Sequence, residues 1–280
     1  MTRVAIATCA GDNVDPDAPL LLDALEREGL AGELCVWDDP RVDWNGFELT
    51  VVRSTWDYAL RRDEFLDWAR PITRLCNPYW ALEYSTDKHY LDDLHRRGYH
   101  VVPSQFCDVG VRPVFPEGDF VIKPCVGAGS VDAERYRGDE LDRARAHVAR
   151  LHALGRDALI QPYVASVDDL GERALVFLDG SFSHAVTKGA MLNVTPTNRH
   201  ARFRREQVVL ASGEPDAVAF ARAVLDDVRF DELLYARVDL VRLGGAWALM
   251  ELELVEPSLF LSHHGAAATQ LARAIGSRAA

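Results

Sequence analysis

Two alternating runs around a glycine pair constrain this chain more than any other stretch. Tyr235 to Leu243 leads into Gly244-Gly245, and Ala246 to Pro257 follows, which is a hairpin signature. Alternation puts Ala248, Met250, Leu252 and Leu254 on one face of the second run and Trp247, Leu249, Glu251 and Glu253 on the other. In the first run Arg237 and Asp239 share a face, opposite Val238 and Leu240. The two polar sets meet only if the connection has an odd residue count, such as Gly244 to Ala246, or if a bulge intervenes. Asp239 then lies across from Glu251, and Arg237 across from Glu253. Three carboxylates on one sheet face repel each other unless something positive sits between them. A hard divalent cation takes oxygen ligands of this kind: Mg²⁺ where substrate phosphates complete its shell, with Mn²⁺ as an alternative. The plainer alternative is an exposed face carrying ordinary charges. The flanking apolar residues argue for a covered face, and so for a metal held by Asp239, Glu251 and Glu253.

With 280 residues, 48% of them hydrophobic, the chain can bury a large core in one to three domains. Its net charge of -12 weighs against a nucleic-acid partner, which demands basic surface. Five scattered cysteines with no Cys-x-x-Cys fit a reduced, cytoplasmic protein better than a disulfide scaffold or a zinc site. The N-terminal run is strand-like rather than a signal peptide, and no apolar stretch is long enough to span a bilayer.

Along the chain, Val4 to Thr8, Leu20 to Glu28, Glu33 to Trp37 and Leu49 to Arg53 read as strand, helix, strand and strand, a β-α-β beginning of parallel character. The last of these runs into Arg53-Ser-Thr-Trp-Asp-Tyr58. Ligands collect beyond the carboxyl ends of such strands, so Arg53, Asp57 and Tyr58 are candidates to hold an amino-acid-like substrate. A structural Arg–Asp pair is the competing account. Asn77-Pro78 closes a first unit, and Ser85-Thr86-Asp87-Lys88 reads as a capped helix start running to Arg97. Lys88 in a first helical turn either reaches water or meets an anion.

Asp119 to Lys123 is a strand that delivers Lys123 to Gly127-Ala128-Gly129-Ser130. Glycines there let backbone amides approach phosphate oxygens, although a glycine-rich turn alone is a weak signal. Gln161-Pro162-Tyr163-Val164 ends a strand whose proline leaves ladder groups unpaired, a feature able to read an adenine edge but also found in ordinary edge strands. Glu172 to Leu178, Asp179-Gly180 and Ser181 to Lys188 form a hairpin with a two-residue turn. Arg199 to Arg205 is a basic run suited to a mobile lid or to a solvated loop, and His263-His264 follows the carboxylate hairpin closely enough for one to touch a substrate.

The order of these signals resembles the ATP-grasp superfamily in its glutathione-synthetase-like branch. That resemblance implies an α/β and α+β fold: an N-terminal Rossmann-like subdomain over 1–78, a central subdomain over 79–157 with the phosphate loop, and a C-terminal subdomain over 158–280 with the metal hairpin. The last two would enclose ATP. It further implies nucleotide-binding lysines at Lys88 and Lys123, a phosphate loop at Gly127, Ala128, Gly129 and Ser130, and an adenine hinge at Gln161, Pro162, Tyr163 and Val164. Asp169 or Glu172 would hold the ribose. Mg²⁺ would lie on Asp239, Glu251 and Glu253, with Arg237 and Lys188 as catalytic cations. Many relatives carry Asn where Glu253 stands, so this site is more acidic than usual. The Arg53-to-Tyr58 and Glu251-to-Pro257 strings are similar to a bacterial subgroup that includes the cyclo-ligase making D-cycloserine from O-ureido-D-serine. The implied activity is ATP-dependent formation of a C–N bond through an acyl-phosphate. Two alternatives stand beside ring closure: an intermolecular amine ligase, and a nucleotide-binding module without chemistry.

Overall fold

Val4, Ala5, Ile6 and Ala7 carry no polar side chain, and such a run is stable as a strand only where both sheet faces are covered. It forms the middle of β1 (Thr2–Thr8), all four residues being inaccessible to solvent. The structure is a computed structural model, and it describes residues 1–11, 15–190, 192 and 207–280. After β1 come α1 (Ala18–Arg27), β2 (Leu30–Val36), β3 (Leu49–Ser54), α2 (Arg62–Ala69) and β4 (Leu75–Cys76). The four strands make a parallel sheet in the order β2-β1-β3-β4. A proline in its first turn starts α1, and Gly29 stops it with a φ of +77°, a conformation costly for any residue with a Cβ.

Two helices, α3 (Tyr79–Ser85) and α4 (Tyr90–Arg96), follow. The expected helix start at Ser85 to Lys88 is corrected here: Ser85 ends α3, and Lys88 lies ahead of α4. The Ser85 hydroxyl is committed elsewhere, donating to the Leu252 carbonyl at 2.9 Å and accepting from the Leu254 amide at 3.1 Å. It therefore anchors the chain to the carboxylate hairpin instead of capping a helix.

The second sheet is antiparallel. It holds β5 (Gln105–Cys107), β6 (Phe120–Pro124), β7 (Glu134–Tyr136) and, after α5 (Leu141–Ala153), β8 (Ala158–Pro162), in the order β5-β8-β6-β7. Expectation put Ala158 at the start of the third unit, but β8 pairs with β6 from Phe120–Pro162 to Pro124–Ala158. By that pairing β8 belongs to the second sheet. Past it come α6 (Ser166–Leu170), β9 (Glu172–Leu178), β10 (Ser181–Lys188), β11 (Val208–Ala211), α7 (Pro215–Asp227), β12 (Tyr235–Leu243), β13 (Ala246–Glu253) and α8 (Ala267–Ala279). The third sheet runs β11-β10-β9-β12-β13 and is antiparallel throughout.

Two features join the first sheet to the third. Leu271, Ala272 and Ile275 of α8 share one core with Leu21, Ala24 and Leu25 of α1, although the two helices lie at opposite ends of the sequence. Asn77, fully buried, donates to the carbonyls of Tyr235 (2.8 Å) and Leu254 (2.7 Å) and accepts from the Leu234 amide (2.7 Å). An amide side chain satisfied on every side in this way fixes two backbones relative to each other.

In the β12–β13 hairpin the turn is Gly244-Gly245 alone, both with positive φ, so the connection is even and not the odd one anticipated. A bulge restores the register. Asp239 pairs with Glu251 while Leu240 pairs with Leu249, leaving Met250 as the extra residue. Leu249, expected beside the glutamates, instead packs in the core that also contains Leu240 and Leu252. Met250 takes the glutamates' side.

Candidate active site

Between the second and third sheets lies a cleft of about 740 Å³. The hairpin supplies one wall. Ligand oxygens of Asp239, Glu251 and Glu253 lie within 4.8 Å of one another, because the bulge at Met250 brings Glu251 opposite Asp239 on the cleft side. Such a cluster cannot persist without compensation, and each member is met by a cation. Asp239, inaccessible to solvent, accepts from Arg237 Nε at 2.9 Å and Lys188 Nζ at 2.6 Å. Glu251 pairs with Lys88 Nζ at 2.9 Å, and Glu253 with Arg237. Lys188 also reaches Glu172 at 3.0 Å.

The environments separate these carboxyls. Burial works to raise Asp239, but the charges of Arg237 and Lys188 overcome it and hold the group below its ordinary range. Glu251 is likewise pulled down, Lys88 and Lys123 outweighing burial. Glu253 goes the other way, to about 7, because burial and the charges of Asp239 and Glu251 exceed what Arg237 offsets. Burial lowers Lys123, which has no ion-pair partner among the described residues. Three hard oxygen donors so close together fit a Mg²⁺-sized cation.

The opposite wall comes from the second sheet. Gly127, Ala128, Gly129 and Ser130 line the cleft, with Gly129 and Ser130 in the left-handed region. The Gly127 carbonyl accepts from Lys88 Nζ at 3.0 Å, which ties the loop to the lysine. Lys123 lines the cleft beside this loop, and Gln161, Pro162, Tyr163 and Val164 form its far edge. The Gln161 side chain is turned toward Ser104, donating to its hydroxyl at 2.8 Å.

Several expected residues do not meet here. Arg53 is buried behind the cleft, where it donates to Asp15 at 3.2 Å and to the Pro257 carbonyl at 3.0 Å. Asp57 is held by Arg61 and by Trp37 Nε1, the latter at 2.8 Å. Of the charged clamp expected of Arg53 and Asp57, neither side chain lines the cleft itself: Arg53 is held by Asp15, which does line it, Asp57 by Arg61 and Trp37, and Tyr58 alone of the three lines it. Of the two residues expected at the ribose, Asp169 is exposed on α6 and is not among the residues lining the cleft, whereas Glu172 lines it. The Arg199-to-Arg205 run lies outside the described residues. Of the two histidines, His263 lines the cleft while His264 stacks on His184 with ring centroids 5.2 Å apart.

Against known proteins, residues 4–77 match the family model described as the N-terminal domain of D-cycloserine synthetase DcsG. The cycloserine biosynthesis protein DcsG of Streptomyces lavendulae is 39% identical over 95% of this chain and 94% of its own length. The chain belongs to the DcsG family. The crystal structure of D-cycloserine synthetase DcsG superposes with a TM-score of 0.89 at 36% identity, covering 99% of this chain and 100% of that one. A D-alanine–D-alanine ligase from Bacillus anthracis, solved with ATP, shares the ATP-grasp fold at a TM-score of 0.68 and 12% identity, covering 100% and 97% of the two chains. Two further acidic residues of the cleft were not singled out in the sequence. Asp15 and Glu256 line the cleft close to Tyr58, one from the loop after β1 and the other just past β13. Burial, with the charge of Glu253, pushes the Glu256 carboxyl up to about 8.

Proposed function

We propose that this DcsG-family protein is an ATP- and Mg²⁺-dependent cyclo-ligase that closes O-ureido-D-serine to D-cycloserine. The observation that carries the proposal is the meeting of Asp239, Glu251 and Glu253 with Lys88, Lys123, Lys188 and Arg237 in one cleft edged by a glycine loop. Phosphoryl transfer is chiefly positioning and charge neutralisation, and these are the groups that perform it. When bound to the three carboxylates, Mg²⁺ supplies charge stabilisation at phosphate oxygens. The chain's own residues do the rest. Lys88, Lys123 and the amides of Gly127 to Ser130 hold the phosphates, while Gln161 to Val164 hold the base and Glu172 the ribose. Lys188 and Arg237 face the transferring group. Arg237 also donates to the Ser258 carbonyl at 3.2 Å, which keeps its fork oriented.

The substrate carboxylate attacks the γ-phosphorus, giving ADP and an acyl-phosphate. The nitrogen attached to the substrate's oxygen then attacks the acyl carbon, phosphate leaves and the ring forms. Water removes the remaining carbamoyl group as carbon dioxide and ammonia. Because the nucleophile belongs to the same molecule, holding the substrate folded supplies much of the rate. We read the chain as three units, 1–78, 79–162 and the remainder, with the nucleotide between the last two. Its five unpaired cysteines favour a reducing compartment such as the cytoplasm.

Incubating the purified protein with ATP, Mg²⁺ and O-ureido-D-serine alone tests the proposal. D-cycloserine detected by mass spectrometry, with equimolar ADP, is the expected result. ADP formed only when a separate amine is added would overturn ring closure in favour of an intermolecular ligase.

A further inference from the structure

The cleft's acidic side chains differ in what holds them. Asp15 is met by Arg53, Glu172 by Lys188, Glu251 by Lys88 and Glu253 by Arg237. Asp17 accepts the amides of Leu261 at 2.8 Å and Ser262 at 3.3 Å. Glu256 lines the same cleft and is only 8% exposed, yet among the described residues no protein cation pairs with it. Its carboxyl has the Tyr58 hydroxyl and its own backbone N–H within hydrogen-bonding reach, and its backbone carbonyl accepts from Trp56 Nε1 at 3.2 Å. The backbone contact fixes the residue. The carboxyl keeps hydrogen-bonding capacity that the protein leaves unused, and a buried polar group in that condition is costly until a ligand completes it.

We infer that Glu256, oriented by Tyr58 and Trp56, is the specificity residue that reads the ureido group of the substrate. The inference rests on the function proposed above. A ureido group shows two parallel N–H donors on one edge and a carbonyl beside an N–H on another. An ionised carboxyl accepts the first pair, and a protonated one accepts from an N–H while donating to the carbonyl, so the match holds in either form. Glu256 lies three positions beyond Glu253, at most about 11 Å between Cα atoms, and Glu253 is paired with Arg237. A small amino acid can therefore lay its carboxylate toward Arg237 with its side-chain urea at Glu256.

Binding of O-ureido-D-serine and of D-serine, which lacks the urea, can be compared by calorimetry with Mg²⁺ and a non-hydrolysable ATP analogue present. The unaltered protein is expected to prefer O-ureido-D-serine by at least about tenfold, and Glu256→Ala to bring that ratio close to one. Glu256→Gln should keep most of the preference, since a carboxamide also offers an acceptor beside a donor. Nucleotide affinity should stay unchanged in both variants. Should Glu256→Ala not fold, Glu256→Met preserves the bulk and must lose the preference equally. A full preference retained in the Ala or Met variant overturns the inference while leaving the proposed function standing. Equal weakening of both ligands in Glu256→Gln would mean that Glu256 serves the shared ammonium, and that also overturns it. If the unaltered protein shows no preference and makes no D-cycloserine, both fall together.

Discussion

Individual cations in the cleft differ in whether the protein already uses them. Lys188 meets a fully buried Asp239, so Lys188→Met removes one of two charges that keep that carboxylate ionised. The expected loss is about 3 kcal/mol of stability, read as a lower denaturant midpoint at unchanged slope. Lys123 has no such partner, and burial already disfavours its charge. Lys123→Met should leave stability unchanged or slightly higher while weakening ATP binding by roughly 10- to 100-fold, measured by calorimetry. Equal effects of the two substitutions on both quantities would contradict this division. Lys123 was legible in the sequence because a strand delivers it to a glycine loop. The pairing of Lys188 with Asp239 was not, since it joins positions 51 apart across two hairpins. Arg53 misled for the same reason: Asp57 is near it in sequence, but Asp15, 38 positions away, is its partner in space.

At the scale of elements, the hairpin keeps its carboxylates in register around one unpaired residue. Deleting Met250 would remove the bulge and leave Leu240 opposite Leu249 and Asp239 opposite Glu251 in one regular register, so that Glu251 and Glu253 both remain beside Asp239. Mg²⁺-dependent turnover is expected to stay within about tenfold of the unaltered protein, with far-UV circular dichroism preserved. A loss of about 100-fold or more would show that the metal set depends on the bulge itself and not on this register. Period-two alternation and the glycine pair made the hairpin readable. A bulge was one of the two connections the alternation allowed, but its place at Met250 was not readable, because it depends on a neighbour distant in sequence: His100 and Val102 exchange backbone hydrogen bonds with Leu249 at 2.8 and 2.9 Å. Asn77 belongs to the same class of hidden joint. Asn77→Ala strips partners from two buried carbonyls and an amide, and should cost at least about 3 kcal/mol in chemical denaturation.

For the whole molecule, acid sensitivity follows from His184. It is buried against His264 and donates from Nε2 to the Leu259 carbonyl at 3.0 Å, and burial lowers its pKa from 6.5 to about 4. The unfolded chain therefore takes up this proton first on acidification. The associated stability is complete above pH 6.5 and is lost as pH falls toward 4, about 3 kcal/mol in all. His184→Gln should flatten that part of the stability–pH profile, and an unaltered slope would refute the assignment. The α/β beginning and the order of the hairpins were legible from alternation and glycine stops, whereas the closure of the chain on itself was not. That closure limits modularity. Because α8, the last helix, completes the core under α1, the first 78 residues are not a portable cassette. A chimaera exchanging that segment between relatives must carry Ala267 to Ala279 with it, or the graft will leave Leu21 and Leu25 facing a surface that evolved for another sequence.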